Sequence, residues 1–325
     1  MCNIILAISA AAIIYGGATT FPSIAADYPD RPVRVIVPSA PGGSPDVGTR
    51  IIIAELTRQM GKQFVVDNRP GAVGSIGTEM IARATPDGYT IGHGNFATLA
   101  TYRSMLSKLP YDIDRDIQPV AQNWVTPNIL AVGLSLPVKS VSELVDHARK
   151  NPGKLLFASN GNGTSQHLSA ELFKRMTNTQ MTHVPYKGSQ QGITDMIGGQ
   201  IHLMFDSASS IGPHAKAGRV RALAVTTAKR SSAYPELPTV SESGVANFAV
   251  APFGGIVAPT GVAKTIVNRL NAEINKALAT STVKEKFAVL GPEPTGGTPE
   301  EFAAFIKREV IKWAEVIKGA NIKAD

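Results

Sequence analysis

The chain has a single cysteine, Cys2, in 325 residues. That residue has no apolar stretch upstream of it, as a lipid-modified cysteine would need. Without the first 26 residues no thiol is left, so a disulfide, a Cys-based metal site and a thiol nucleophile are all excluded from the rest. Those same 26 residues contain no Asp, Glu, Lys or Arg. No apolar run is long enough to span a bilayer; Ile4 to Tyr15, at about a dozen residues, comes nearest. There is no H-E-x-x-H pair, and His93, His147, His167, His183, His202 and His214 are scattered, so no metal site is expected. A phosphate-cradling G-x-x-x-x-G-K run is also missing. Gly161-Asn162-Gly163 begins like a dinucleotide fingerprint, but position 166 is Gln, and no cofactor is expected. The formal charge is +7, yet there is no block of like charges and no basic stretch rich in aromatics, which argues against a nucleic-acid partner.

What is present at the start reads as a secretory signal. An apolar core is followed by Ser23-Ile24-Ala25, small residues at the cleavage positions, and Asp27 opens a polar chain. Gly16, Gly17 and Pro22 interrupt the alternative, a buried N-terminal helix. Residues 1–26 are therefore expected to be a signal peptide cleaved near Ala25 and Ala26, and the mature protein to reside in the periplasm.

The remaining chain is long for one domain, and two lobes are expected. Val33 to Val37 reads as a buried strand. A Gly/Pro/Ser loop follows, then a helix capped by Asp46 and closed by Gly61. Strands at Phe64 to Val66 and Tyr89 to Gly92, with a helix that Ser75 can cap between them, complete a β-loop-α rhythm that predicts a parallel sheet covered by helices. A second unit of the same kind runs from about 126 to 247. It opens on the Ser140-x-x-Glu143 capping box and carries the loop Ser159 to Thr164. Two amphipathic helices end the chain, the second announced by Thr298, Pro299 and Glu301. They have too little strand for a lobe of their own and are expected to pack on the first sheet. Lobe 1 is then 27–125 plus 248–325 and lobe 2 is 126–247, with two chain crossings forming a hinge.

Gly-rich loops that end strands and open helices aim free backbone N–H groups, backed by the helix dipole, at one spot. Ser39, Pro41, Gly42, Gly43 and Ser44 could supply one side of such a site. Ser159, Asn160, Gly161, Gly163 and Thr164 could supply the other. A carboxylate is the natural guest, although glycines in such loops also serve simply as turns. Asp46 is either a cap or a contact for an ammonium or water. Lys187, in Tyr186-Lys187-Gly188, either faces the cleft or is a solvated turn lysine. His167 lies in a first helical turn, and Asp206 ends a strand where it either faces the cleft or caps the helix after it.

The residue order then becomes informative. Tyr28-Pro29-x-Arg31-Pro32 precedes Pro41-Gly42-Gly43-x-x-Asp46, Asn68-Arg69-Pro70-Gly71-Ala72-x-Gly74-x-x-Gly77 and Pro86-Asp87-Gly88-Tyr89-Thr90. Gly161-x-Gly163-Thr164-x-x-His167-Leu168, Pro185-Tyr186-Lys187-Gly188 and Leu237-Pro238-Thr239-Val240-x-Glu242-x-Gly244 follow. This series resembles the substrate-binding receptors of tripartite tricarboxylate transporters, the Bug receptors, over essentially the whole mature chain. The resemblance implies an α/β, type II periplasmic-binding-protein fold, two lobes joined by a hinge around a Venus-flytrap cleft. It also implies a non-catalytic receptor that takes a small carboxylate solute and delivers it to membrane permease subunits, with a monomer expected. Ser44 and Pro45 stand where the family often has Thr and a small residue. A sensor subunit of a signalling system would use the same cleft. A two-lobed enzyme would need an acid/base pair there, with Asp46, His167 or Asp206 as its candidates.

Overall fold

A computed structural model describes residues 28–323. The export signal and its cleavage point lie outside the described residues.

The chain begins with β1 (Val33–Val37), whose V-R-V-I-V sequence is buried at four of five positions. Helix α1 (Ser44–Met60) returns the chain to β2 (Phe64–Asn68), and α2 (Ser75–Ala82) to β3 (Thr90–Asn95). Both β2 and β3 pair in parallel with β1, as the β-loop-α rhythm predicts. A π-helical turn (Ala97–Thr101), α3 (Tyr102–Met105) and α4 (Ile113–Asp116) lead into the long β4 (Ile117–Val125). Only Thr126 and Pro127 separate β4 from β5 (Asn128–Val132), so the chain runs out of one sheet straight into the next.

The second unit comprises α5 (Val141–Lys150), β6 (Leu156–Ser159), α6 (Ser165–Thr177) and β7 (Thr182–Pro185). It continues through α7 (Ser189–Ile197), β8 (Leu203–Ser207), α8 (Ala208–Lys216) and β9 (Arg221–Val225). The chain then returns through β10 (Phe253–Pro259), α9 (Lys264–Ala279), α10 (Ser281–Leu290), β11 (Glu293–Pro294) and α11 (Pro299–Gly319). One sheet has the order β11-β4-β10-β3-β1-β2 and the other β7-β6-β8-β5-β9.

Neither sheet is purely parallel. β10 runs antiparallel to β3 and β4, and β5 runs antiparallel to β8 and β9. Strands next to the crossings enter from the opposite sheet, which reverses their direction. The two crossings lie side by side. Thr126 N donates to Pro252 O at 2.7 Å, and Thr226 N donates to Asn128 O at 2.9 Å.

Three local expectations need correction. Asp46 does not cap α1. Gly43 holds that position, and proline in the first turn already removes one orphan N–H. Ser75 does not cap α2 either; its Oγ donates to Ala72 O at 2.9 Å. At α5 the Ser140 side chain accepts from Glu143 N, but Glu143 Oε2 accepts from Lys139 N rather than closing a reciprocal box. The box at Thr298 is complete in both directions. The last helix does pack on the first sheet through β4, and it also packs on α6 of the second unit. Trp313 on α11, fully buried, belongs to an apolar cluster that continues through Phe96 to Leu168, Phe173 and Phe205.

Candidate functional site

A cavity of about 670 Å³ lies between the two sheets, near the crossings. Its lobe-2 wall is built from helix beginnings. β6, β7 and β8 each end at this face, and α6, α7 and α8 each start from it. Ser165 and Gln166 of α6, Ser189 of α7, and Ser207 and Ser210 at the start of α8 line the wall. The positive ends of three helix dipoles therefore meet on one surface.

Asp206 stands directly behind that wall. Its Oδ1 accepts from Ser189 Oγ at 3.0 Å, Gln166 Nε2 at 3.3 Å and Ser207 N at 2.8 Å. Burial pushes its carboxyl up from the ordinary value, and these bonds pull the other way. It fixes one side chain from each of α6 and α7 and the backbone entering α8.

The loop from Ser159 to Thr164 is braced from behind in the same manner. Ser159 Oγ lies 2.6 Å from His183 Nε2 and accepts from Gly161 N at 3.2 Å. Gly163 N donates to His167 Nδ1 at 3.1 Å, so that nitrogen must carry no proton. His167 stacks on His183, and His183 on Phe157. Burial drives His167 down to about 3, helped by His183 and Lys174, and drives His183 down to about 4, helped by Lys174. Both rings are neutral at ordinary pH. Gly163 itself has φ +72°, and a Cβ there would overlap Met105 Cε of the opposite lobe. Glycine suits the left-handed backbone here, and any side chain would also have to push the tip of Met105 aside.

The lobe-1 wall has another character. It takes His93 and Asn95 from the end of β3, Phe96 and Tyr102 from the segment after it, Trp124 from β4 and Phe253 from β10. Phe, Tyr and Trp make up 6% of the chain, yet four of the 22 lining residues are of these types, each packed in the core with only an edge left at the cavity. Trp124 stacks on His93 with centroids 5.1 Å apart. His93 is fully buried, neither ring nitrogen has a hydrogen-bond partner among the described residues, and burial pushes it down to about 3. Burial pushes the Tyr102 hydroxyl up to about 12. Among the described residues, no Asp, Glu, Lys or Arg lines the cavity. A charged guest would meet only neutral donors and helix ends.

Of the residues picked out from the sequence, Ser44, Asn160, Gly163 and Thr164 line the cavity. The two loops thus reach one cavity from opposite lobes. Ser39, Pro41, Gly42, Gly43 and Asp46 belong to the same lobe-1 loop but stand outside the wall. Asp46 turns inward: it accepts from Gly42 N at 2.8 Å, Arg50 Nε at 2.8 Å and Asn68 Nδ2 at 2.9 Å. Burial raises its carboxyl, but these three bonds outweigh burial and leave it below the ordinary value. Ser159, Gly161, His167 and Asp206 stand behind the lobe-2 wall. Tyr186 and Lys187 also lie outside it, with the Tyr186 hydroxyl donating to Asp195 Oδ2 at 2.7 Å. The three enzyme candidates Asp46, His167 and Asp206 are each buried and engaged internally. The aromatic wall was missed because it carries no motif. Its one signal in the sequence is Trp124, one of two tryptophans in the chain.

Residues 49–322 match the family described as tripartite tricarboxylate transporter family receptor. The chain belongs to that family. Protein BugT of Bordetella pertussis is 36% identical over 305 residues, covering 93% of this chain and 94% of BugT. The solved structure of R. palustris Rpa4515 with adipate is 38% identical with a TM-score of 0.76, over 91% of this chain and 99% of that one. MatC (Rpa3494) from Rhodopseudomonas palustris with bound malate is 30% identical with a TM-score of 0.71, over 89% of this chain and 100% of that one. The two-sheet α/β architecture is thus that of the periplasmic binding proteins, and this tripartite transporter receptor shares their two-lobed fold.

Proposed function

We propose that the receptor captures a small carboxylate-bearing metabolite between its lobes in the periplasm and delivers it to the membrane permease subunits of a tripartite transporter. The observation that carries this reading is the meeting of α6, α7 and α8 at their N-termini on a wall free of ionised side chains. Backbone N–H groups and dipole ends suit an oxyanion there, and no wall carboxylate repels it. Two relatives hold adipate and malate in structures of the same fold, which favours a carboxylate over other anions. Residues 1–26 act as the export signal, and no catalytic step is assigned to the cleft.

Thermal unfolding of the purified mature chain against a panel of mono-, di- and tricarboxylates tests the capture. A ligand held by the folded state alone raises the midpoint, by about 2.7 kcal/mol of added stability at a hundred times its dissociation constant. A midpoint indifferent to the whole panel would overturn the reading. Delivery is tested by co-purification of the permease subunits with the receptor, compared with and without the solute that binds. Export is tested by N-terminal sequencing of the periplasmic protein, which should begin near Ala26 or Asp27.

A further inference from the structure

The lobe-2 loop carries a chemical motif that solute capture does not use. Asn160-Gly161 and Asn162-Gly163 are the two Asn-Gly steps of the whole chain, and both fall in this one loop. Glycine has no side chain to shield its backbone nitrogen from the asparagine side chain before it. Such a step can cyclise. The glycine nitrogen bonds to the asparagine Cγ, and its proton passes through solvent to the side-chain nitrogen, which leaves as ammonia. Water then opens the five-membered imide at either carbonyl, leaving aspartate or isoaspartate. The sum is amide plus water to acid plus ammonia, so neither an oxidant nor an enzyme is needed.

We propose that Asn160 and Asn162 form a self-modification site, at which loss of ammonia places a carboxylate on the lobe-2 wall and switches anion capture off, and that Ser159 and His167 set its rate. Both attacking nitrogens are held. Gly161 N donates to Ser159 Oγ at 3.2 Å, and Gly163 N donates to His167 Nδ1 at 3.1 Å. Each must break that bond to reach the side-chain carbon. Asn160 is held a second time, through Nδ2 donating to Ser189 Oγ at 2.9 Å. The brace behind the loop is therefore also its guard. Both asparagines line the cavity, where no Asp, Glu, Lys or Arg is found among the described residues. A carboxylate created there would take the helix ends for itself and repel an incoming one. At Asn160 it would also compete for Ser189 Oγ with Asp206, whose Oδ1 accepts from that hydroxyl at 3.0 Å. Isoaspartate would in addition lengthen the main chain of the loop. The effect on capture rests on the carboxylate-receptor reading; the modification does not.

Incubation of the purified mature chain in mildly alkaline buffer, followed by peptide mapping, tests the idea. The tryptic peptide 155–174 contains both residues and no other asparagine, and fragmentation tells the two apart. It is expected to gain about one mass unit in the folded receptor, and to do so about tenfold or more faster in urea. His167→Phe keeps a ring but offers Gly163 N no acceptor. It should speed the Asn162 step by about fivefold or more and leave the Asn160 step slow. A variant that unfolds would speed both steps alike, and the folded receptor against the urea-treated one then decides. The acidic fraction, separated by ion exchange, should bind adipate or malate about tenfold or more weakly than the unmodified fraction in titration calorimetry. No mass gain at either residue of the folded receptor would overturn the site. A folded rate equal to the rate in urea would overturn the guard, as would an Asn162 step unmoved in a folded His167→Phe. Full affinity in the acidic fraction would overturn the switch. Binding of neither acid by the unmodified fraction would overturn the receptor reading and the switch together, while the mass gain would stand.

Discussion

The imidazole of His167 lies almost flat on that of His183, with ring centroids 3.8 Å apart and planes 14° from parallel. The pair forms the brace behind the Ser159–Thr164 loop, and it tolerates little positive charge. Lys174 disfavours protonation of both rings, and the Glu171 carboxylate lies 3.8 Å from His167 Nε2.

Both imidazoles are lowered in the folded state, to about 3 and about 4, against an ordinary 6.5. Between those values the unfolded chain binds more protons, so stability rises with pH across this window and is lost as pH falls from 6.5 toward 4. Thermal melting at stepped pH should show the midpoint dropping over that range. His183→Phe keeps a ring in the stack but removes one titrating site, and its midpoint should depend less steeply on pH. A variant slope equal to the unaltered one would show that these imidazoles are not responsible.

Replacing Gly163 by Val should weaken solute binding by about tenfold or more, since the branched side chain meets Met105 where the lobes approach. The left-handed backbone adds roughly 1 kcal/mol of strain to the folded state. Titration calorimetry with circular dichroism as a folding control separates the two effects. Unchanged affinity would mean that the Met105 side chain gives way and that this contact does not limit binding.

Asp46→Ala distinguishes a structural carboxylate from a ligand contact. With Gly42 N, Arg50 and Asn68 losing a shared acceptor, denaturant unfolding should show a loss of about 1–3 kcal/mol. A residue that served only to touch solute would instead leave the unfolding midpoint of the empty receptor unchanged.

Thr298→Ala should cost about 1 kcal/mol by opening the reciprocal cap of α11, with solute affinity unaffected because the residue is remote from the cavity wall. Urea denaturation resolves a change of that size.

The elements most legible in the sequence were those with a local signature. Val33–Val37 is a run of β-branched residues around one arginine, and Thr298-Pro299-x-Glu301 states a helix start in four residues. β10 was hidden because its Phe-Gly-Gly opening looks like a loop. The reason for those glycines lies elsewhere in the chain: a Cβ on Gly254 would press into His93 and Trp124, and one on Gly255 into Phe302 and Ala121 O. Likewise the Gly-rich loops announced the lobe-2 wall, since backbone donors at helix starts leave a motif. The lobe-1 wall is assembled from single side chains of β3, β4 and β10, which are distant in sequence and become neighbours only through sheet pairing. Asp46 and His167 were visible as polar residues beside the loops, but only packing decides that they face inward.

Helix α11 belongs by topology to the first sheet, yet its far end rests on α6 of the second. The apolar cluster around Trp313 and Phe96 is therefore continuous with Phe173 and Phe205 of the second unit. Pulling the two units straight apart would expose the apolar surface that Trp313, Phe96 and Phe173 share, whereas a swing about that seam, as covers turn about a spine, would leave it covered.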